Sequence, residues 1–391
     1  MLANLALKTL AFKARAFEKS TLDPIRAQEK VLFEYLNRNK NTEYGRKYGL
    51  SGVKTIDDFR AKVPISDYMT VKSYVDRMAG GELNVLTSDK PIFFGITSGT
   101  SGNPKLIPVT KYSMRKKSDL TSLWAYYMSH DHPHILEGKM LVIISPEVKS
   151  FTSAKIPYGP EDGHGYNNMP WVVKRAYVLP YNVFYIENYD ARYYCILRIS
   201  MEHRDITSIA TLNPSTIGFL CERIENVQEE IINDIEKGAL SEKYNIPDYI
   251  RKPIEASLRP NPNRAKELRA ILKRSGKLLP KDFWPEMTLI ECWKGGTVKL
   301  YLKDLPHYFG NVPFRDFGCL STESRNSIPL CDEGAGGVLA ISTNFYEFIP
   351  RSEIQKDDKK TLLCNQLEKG KEYLIIVTTA GGLYRLSLIH I

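Results

Sequence analysis

The sequence predicts an α/β fold in which buried strands alternate with helices. Short apolar runs of strand length recur along the chain, and longer segments with helical periodicity lie between them. Of the 391 residues, 43% are hydrophobic and 25% are charged, close to the globular average, which sets aside disordered, collagen-like and disulfide-scaffold classes. This length is enough for two or three domains, or for one large α/β body with insertions.

The first twenty residues, MLANLALKTLAFKARAFEKS, predict an amphipathic helix. Basic residues are scattered through the segment, which has neither a continuous apolar stretch nor a small-residue cleavage site. We therefore predict a helix of the folded protein rather than a signal peptide, with a helix on a lipid surface as the alternative. Elsewhere no apolar run approaches the roughly 20 residues that cross a bilayer, so we expect no membrane partner.

Three apolar runs predict buried strands, at residues 91–96, 140–145 and 207–212. The first leads into the small-residue loop TSGTSG and a second apolar piece, KLIPVT. The third leads into a helix that Asn213 caps and Gly238 ends. The apolar stripe of this helix comprises Ile217, Leu220, Cys221, Ile224, Val227, Ile231 and Ile235.

The net charge of +9 is concentrated in part in one predicted helix. Much of the excess lies in residues 251–277, where we predict a helix with Asn263 as N-cap and Gly276 just past its end. Its apolar residues fall on one side, which places the basic residues on the solvated face. No aromatic residues interleave with them, so we expect no nucleic-acid partner.

The cysteines and histidines predict no strong metal site. The six cysteines are widely spaced in apolar surroundings without a C-x-x-C pair, a pattern typical of reduced, buried thiols in a cytoplasmic protein. His130, His132 and His134 in the segment HDHPH could form a metal site. Pro133 between two of them, and the lack of a further ligand at helical spacing, favour a polar loop.

The clearest functional signal is a loop rich in glycine and hydroxyl groups. It comprises Thr97, Ser98, Gly99, Thr100, Ser101, Gly102, Asn103, Pro104 and Lys105. The glycines allow close backbone approach, the hydroxyls can donate to phosphate oxygens, and Lys105 supplies positive charge. It is not a Walker loop, because Pro104 precedes the lysine and Leu106 follows it. A flexible turn between two strands is the alternative.

This loop resembles the phosphate loop of the adenylate-forming superfamily, which includes acyl-CoA synthetases, luciferases and peptide-synthetase adenylation domains. More closely, the chain resembles the auxin-responsive Gretchen Hagen family of acyl acid amido synthetases, in its bacterial branch. The supporting segments, in the expected order, are NTEYGRKYGL, DDFRAKVPISDY, TSGTSGNPK, NPSTIGFLCERIENVQEEIINDIEKG, FWPEMTLIECWKGG, LSTES, NFYEFIP and VTTAGGLYR. The resemblance implies a large N-terminal adenylation body of mixed sheets flanked by helices, with a smaller C-terminal domain missing from this sequence.

The resemblance implies that a carboxylic acid is activated with ATP to an acyl-adenylate, and that the acyl group passes to an amine, with an amino acid as the expected acceptor. Because both reactants of the first step are anions, the site must supply positive charge and preorganised donors. The resemblance assigns catalytic Lys105 and its loop to the β and γ phosphates, and Ser321 and Thr322 to the α-phosphate. It assigns catalytic Glu323 to Mg²⁺, with an exposed loop acid as the alternative.

Two further segments resemble nucleotide-contact motifs. Gly295 and Gly296 follow a predicted strand, and the resemblance places their backbone beside the nucleotide and the acyl group. An ordinary turn is the alternative for this glycine pair. In the segment FYEF, the resemblance makes Phe345 and Phe348 a wall for adenine or ribose, with Glu347 as a polar contact. Alternating aromatics on a strand are also typical of core packing.

Tyr384 and Arg385 match the start of the family's third nucleotide motif, where Arg385 offers paired donors to a phosphate or carboxylate and is assigned a catalytic role. Family members continue with an aromatic residue, Gly-Asp and the C-terminal domain, whereas this chain reads LSLIHI and ends. We therefore expect a C-terminal truncation, with residues 386–391 a non-native tail and residues 1–385 one N-terminal adenylate-forming domain. Within it we predict a helical part at 1–90, a phosphate-loop and sheet region at 91–285, and a strand-rich nucleotide region at 286–385.

Two other functions stay open on the sequence. An acyl-CoA ligase shares the first half-reaction and differs only in the acceptor. A catalytically silent nucleotide- or acyl-binding protein is the second alternative, because we expect the truncated chain to be impaired. We expect a monomer whose partners are a small carboxylic acid and an amino-acid or amine acceptor. The composition does not identify the acid.

Overall fold

The computed structural model confirms the α/β fold class: several small sheets are flanked by helices. The structure describes residues 2–97, 104–356 and 359–388, with side chains from residue 10 onward. Across these ranges, no helix is both long and apolar enough to cross a membrane.

The helices cluster at the start and in the middle of the chain. They are α1 (Leu2–Thr21), α2 (Pro24–Asn39), α3 (Glu43–Lys47), α4 (Ile56–Lys62), α5 (Tyr68–Ala79), α6 (Lys111–Asp131), α7 (Glu161–Asn167), α8 (Trp171–Lys174), α9 (Tyr189–Glu202), α10 (Ser215–Lys237), α11 (Asp248–Ser257), α12 (Pro262–Ser275), α13 (Pro280–Phe283) and α14 (Leu305–Phe309). The predicted first amphipathic helix is confirmed by α1, whose Ala14 and Phe17 are buried whereas Phe12 is exposed.

The strands are short, and four small sheets contain them within the described residues. They are β1 (Pro91–Thr97), β2 (Lys105–Thr110), β3 (Lys139–Val142), β4 (Ser150–Phe151), β5 (Pro157–Gly159), β6 (Ile206–Ala210), β7 (Leu289–Glu291), β8 (Phe314–Arg315), β9 (Ser327–Ile328), β10 (Val338–Leu339), β11 (Phe345–Pro350), β12 (Tyr373–Thr378) and β13 (Leu386–Ser387). The sheet orders are β2-β1-β5-β4, β3-β6-β7-β8, β11-β12-β13 and β10-β9.

The parallel sheet β3-β6-β7-β8 has a hydrophobic core on each face. Leu289 of β7 belongs to a core formed with α2, α5, α6 and the sheets that contain β1 and β11. The next residue, Ile290, belongs to a second core formed with α9, α10 and α12. This alternation follows from the two-residue period of a strand, which points successive side chains to opposite faces.

The predicted helix after residue 212 is confirmed as α10, but its N-cap is Pro214 rather than Asn213. Gly238 ends it in a left-handed conformation with φ of +68°. Asn213 stands two residues before the helix, where its side-chain oxygen accepts a hydrogen bond from Ser215 N at 3.0 Å. The predicted strand at 140–145 is shorter, because the chain leaves the sheet after Ile143, and Ser145 N donates to the Asp162 carboxylate at 2.9 Å instead.

Three other predictions from the sequence are corrected. The N-cap of α12 is Asn261 rather than Asn263, because Pro262 is favourable in the first turn and the Asn261 side chain accepts from Arg264 N at 3.1 Å. Arg264 is also buried rather than solvated. Cys319 and Cys331 are exposed residues rather than buried ones, because both lie in the loops around β9.

The buried carboxyl group of Glu291, at the end of β7, is expected to make the stability of the protein depend on pH. Burial raises the pKa of this carboxyl from 4.5 to about 7, and Arg315 on the neighbouring strand offsets only part of that effect. Between these two values the native state binds more protons than the unfolded state, so the free energy of unfolding falls as the pH rises. We expect wild type to lose about 3 kcal/mol relative to Glu291→Gln between pH 4.5 and 7, as followed by urea denaturation. Parallel stability curves for the two proteins would contradict this assignment.

Candidate active site

The hairpin of β1 and β2 fixes both ends of the predicted phosphate loop. Thr97 and Lys105 are directly opposite each other in the antiparallel register. The ammonium of Lys105 lies 5.5 Å from the ring centroid of Tyr68, and the Tyr68 hydroxyl accepts from Leu106 N at 2.8 Å. The predicted residues Ser98, Gly99, Thr100, Ser101 and Gly102 lie outside the described residues.

A tight turn at residues 321–324 packs against β1 just before that loop. Ser321 N donates to the Ser324 carbonyl at 2.9 Å, which closes the turn. The Thr322 hydroxyl donates to the Ile96 carbonyl at 3.3 Å. The Thr322 methyl group occupies the space where a side chain on Gly95 would begin. The turn therefore places Glu323 close to the hairpin that carries Thr97 and Lys105.

This close approach predicts the effect of a single methyl group. A Cβ atom on Gly95 would lie 2.5 Å from Cγ2 of Thr322, a distance that forces the turn away from β1. We expect Gly95→Ala to lower the free energy of unfolding by about 1–3 kcal/mol in urea denaturation. Gly165→Ala is the matched control, because nothing lies within 4 Å of the added atom and the residue is within α7. Equal stability of the two variants would contradict the packing of Thr322 on β1.

Glu323 lines a small, partly open pocket between α6, β2 and residues 379–383. The lining comprises Ile107, Pro108, Val109, Ser113, Lys116, Lys117, Leu120, Glu323, Thr343, Asn344, Thr379, Ala380, Gly381 and Leu383. Burial raises the pKa of the Tyr68 phenol, and the negative charges of Asp76 and Glu323 add to this effect. The Lys105 ammonium also lies beside Tyr68. Thr322 contacts Ile96, one residue before Thr97, so the turn that contains Glu323 and the Lys105 position lie at the same end of the β1-β2 hairpin.

The predicted Gly-Gly turn lies at the carboxyl end of β7. The Trp293 indole donates to the Gly318 carbonyl at 3.1 Å, and Lys294 N donates to the Asp316 carboxylate at 2.6 Å. Gly295 is half-buried, and Gly296 is exposed with φ of +61°. These contacts attach the turn to the segment that follows β8 and leads to the turn at 321–324.

Three aromatic residues predicted to contact the nucleotide lie in the hydrophobic core of this structure. Phe345 and Phe348 are buried on β11, and Phe345 packs edge-on against Phe59. Tyr384 is buried and stacks on Tyr44 with ring centroids 4.8 Å apart. The described contacts are those of core packing, and a contact with adenine or ribose stays a prediction.

Glu347 and Arg385 form a buried, two-point ion pair. Arg385 donates from Nε at 2.8 Å and from Nη2 at 3.0 Å to the two carboxylate oxygens of Glu347. The remaining Arg385 nitrogen, Nη1, donates to the carbonyls of Arg60 and Val63. Arg60 and Thr361 also donate to the same carboxylate, at 2.9 and 2.6 Å. These contacts commit Arg385 to protein groups, and its catalytic contact with a phosphate or carboxylate stays a prediction.

Two adjacent lysines of α6 belong to the candidate site although the sequence did not predict them. Lys116 and Lys117 both line the pocket beside Glu323. The available signal was their place in the first turns of the helix that follows the phosphate-loop hairpin. Helical spacing alone could not predict them, because the part of the lining that contains Glu323 comes from segments more than 200 residues away.

The histidine segment lies at the end of α6 and in the 3-10 turn that follows, rather than in a loop. His132 Nε2 lies 2.7 Å from the Asp332 carboxylate, and His134 Nδ1 lies 2.9 Å from the Glu137 carboxylate. Among the residues that the structure describes, no three His, Cys, Asp or Glu side chains are grouped to hold a metal ion.

Comparison with solved structures defines the class of this fold. The fold matches an acyl acid amido synthetase, GH3.15, with a TM-score of 0.82 and 24% sequence identity over 96% of this chain and 67% of that chain. The chain belongs to the GH3 family: the GH3 family N-terminal domain matches residues 13–314, and the GH3 family central domain matches residues 337–389.

Curated relatives include two indole-3-acetic acid-amido synthetases of Arabidopsis thaliana. GH3.2 is 27% identical over 94% of this chain and 71% of its own length, and GH3.10 is 28% identical over 95% of this chain and 68% of its own length. The jasmonoyl-L-amino acid synthetase JAR4 of Nicotiana attenuata is 26% identical over 95% of this chain and 67% of its own length. The chain therefore spans about two thirds of the length of these relatives.

Proposed function

We propose that this protein activates a carboxylic acid with ATP to an acyl-adenylate and transfers the acyl group to an amine, that of an amino acid. The observation that carries the proposal is the contact between the β1-β2 hairpin and the turn at 321–324, at Thr322 and Ile96. It supports the proposal because the turn that contains Glu323 packs on the same end of the hairpin as Lys105, so a carboxylate and a cation are available at that end. Membership of the GH3 family supports the same reaction.

The donor set fits one divalent cation of the hard type. Mg²⁺ prefers oxygen ligands and is commonly held by one or two protein carboxylates together with substrate phosphates. Glu323 offers such a carboxylate, with the hydroxyls of Ser321 and Thr322 in the same turn. When bound there, Mg²⁺ would neutralise charge that builds on the leaving pyrophosphate. Lys105 would bind the β and γ phosphates at the end of the loop, and the Gly295-Gly296 backbone would lie beside the acyl group.

We further propose a monomeric cytoplasmic enzyme with small-molecule partners, without a nucleic-acid or membrane partner. The basic helix α12 supports the absence of a nucleic-acid partner, because two of its three arginines bind groups within the protein. Arg264 donates to the carbonyls of Met201 and Phe283 at 2.9 and 2.6 Å. Arg269 donates to the Glu236 carboxylate through both terminal nitrogens, at 2.8 and 2.6 Å.

The test is carboxylate-dependent exchange of labelled pyrophosphate into ATP, measured over a broad panel of acids. Exchange with at least one acid is expected, and no exchange with any acid while ATP still binds would instead identify a silent nucleotide-binding protein. The acceptor is tested separately, by comparing amino acids with coenzyme A and identifying the product by mass spectrometry. An acyl-CoA product would show that the acceptor is a thiol and would contradict the proposed amide formation.

A further inference from the structure

Lys117 bridges two segments that are distant in the sequence. Its ammonium donates to Oε1 of Glu161 at 2.5 Å and to the backbone carbonyl of Thr322 at 2.7 Å. The side chains of Lys117 and Glu161 are both mostly buried, with exposed fractions of 25% and 22%. A charged donor on a backbone carbonyl makes a stronger and shorter hydrogen bond than a neutral one.

The carbonyl that Lys117 binds belongs to the peptide group that links Thr322 to Glu323. On its other side Thr322 is held by β1, through its hydrogen bond to the Ile96 carbonyl. Glu161 begins α7 directly after β5, and β5 pairs with β1 at Gly95. The turn at 321–324 is therefore fixed from β1 and from α6, and the Lys117–Glu161 pair connects both supports.

We propose that Lys117 is a positioning residue for the Glu323 carboxylate, with Glu161 as its charge partner. By fixing the peptide group before Glu323, Lys117 limits the directions in which that carboxylate can point. Glu161 neutralises the Lys117 ammonium, so that this cation does not compete with a metal ion for Glu323. This inference rests on the proposed function, because it assumes that Glu323 holds Mg²⁺ with the nucleotide.

We expect the Lys117–Glu161 pair to affect the orientation of Glu323 more than the free energy of unfolding. Ion pairs with solvent contact contribute little to the free energy of unfolding. Residues that orient a metal-binding carboxylate have a larger effect on metal affinity, and their loss typically weakens it by about 10–100-fold. A positioning role thus predicts altered Mg²⁺ dependence with little change in melting temperature.

The test measures ATP affinity by calorimetry over a Mg²⁺ titration, for the full chain and three variants. We expect Lys117→Met to require about tenfold more Mg²⁺ for the same ATP affinity, and Lys117→Arg to recover part of the loss. Lys13→Met is the matched control, because it removes an ion pair to Asp119 on the same helix without touching the turn at 321–324. Its Mg²⁺ dependence is expected to equal that of wild type.

The outcomes separate this inference from the proposed function. Equal Mg²⁺ dependence in wild type and Lys117→Met overturns the positioning role, even if pyrophosphate exchange occurs. ATP binding by wild type without any Mg²⁺ dependence also overturns it. If Lys117→Met shows the expected higher Mg²⁺ requirement but no protein exchanges pyrophosphate, only the proposed acid activation is contradicted. Should Lys117→Met unfold, Glu161→Gln gives the same reading, because the unneutralised ammonium is then expected to weaken Mg²⁺ binding.

Discussion

Replacing Glu323 by glutamine is expected to lower carboxylate-dependent pyrophosphate exchange by about 10²–10³-fold. The amide keeps the size of the side chain and removes the negative charge that a divalent cation needs. Lys105→Met is expected to have an effect of the same order, because it removes the cation at the end of the phosphate loop. The exchange rate at saturating ATP and Mg²⁺ is the measurement for both variants.

The control for this pair is Lys72→Met, which removes an exposed ion pair with Asp76 on α5. It should exchange at the wild-type rate, since an exposed pair of this kind contributes little. All three variants should keep the wild-type melting temperature. Near-wild-type exchange by Glu323→Gln or Lys105→Met would remove that residue from the site.

Arg385→Ala is expected to destabilise the protein by about 3–5 kcal/mol, because it leaves the buried Glu347 carboxylate with much of its charge unpaired. The carboxylate is 1% exposed, and Arg385 supplies two of its hydrogen bonds. Urea denaturation monitored by circular dichroism gives the free energy of unfolding. The change also removes the hydrogen bond from Arg385 to the Arg60 carbonyl, which connects the residue before β13 to α4. Arg385 itself has a positive φ of +46°.

Arg351→Ala serves as the control, because it breaks an ion pair with Glu372 in which both side chains are more than two thirds exposed. Its stability should lie within about 0.5 kcal/mol of wild type. If Arg385→Ala is as stable as wild type, the buried pair contributes nothing. A large loss of exchange in such a stable variant would favour the nucleotide contact that the sequence resemblance assigns to Arg385.

The parts of the fold that the sequence predicted are those with local signals. Helix α10 has an apolar stripe, a preceding Asn213 and a terminal Gly238, all within 26 residues. Strand β1 is an apolar run next to a recognisable loop. The end of strand β3 was predicted less well. Its boundary depends on Asp162, a residue of a later segment whose carboxylate accepts a hydrogen bond from Ser145 N.

In the candidate site, too, the features with local signals were predicted and those that depend on distant segments were not. The loop at 97–105 was predicted from residue types that suit phosphate binding, whereas the turn at 321–324 was predicted only through its resemblance to a family motif. The alternation in Phe345, Glu347 and Phe348 could not distinguish a ligand wall from a core, since both need the same pattern on a strand. The bridge from Lys117 to Thr322 spans 205 residues, and no spacing rule predicts a contact of that kind.

The most direct test of acid activation through an adenylate follows oxygen from the substrate. A carboxylic acid labelled with ¹⁸O in both oxygens is incubated with the protein, ATP, Mg²⁺ and an amino acid, and the nucleotide product is analysed by mass spectrometry. Attack of the carboxylate at the α-phosphorus and later displacement by the amine predict AMP that carries one ¹⁸O atom. ADP together with labelled inorganic phosphate would contradict the account, because it would show activation at the γ-phosphorus.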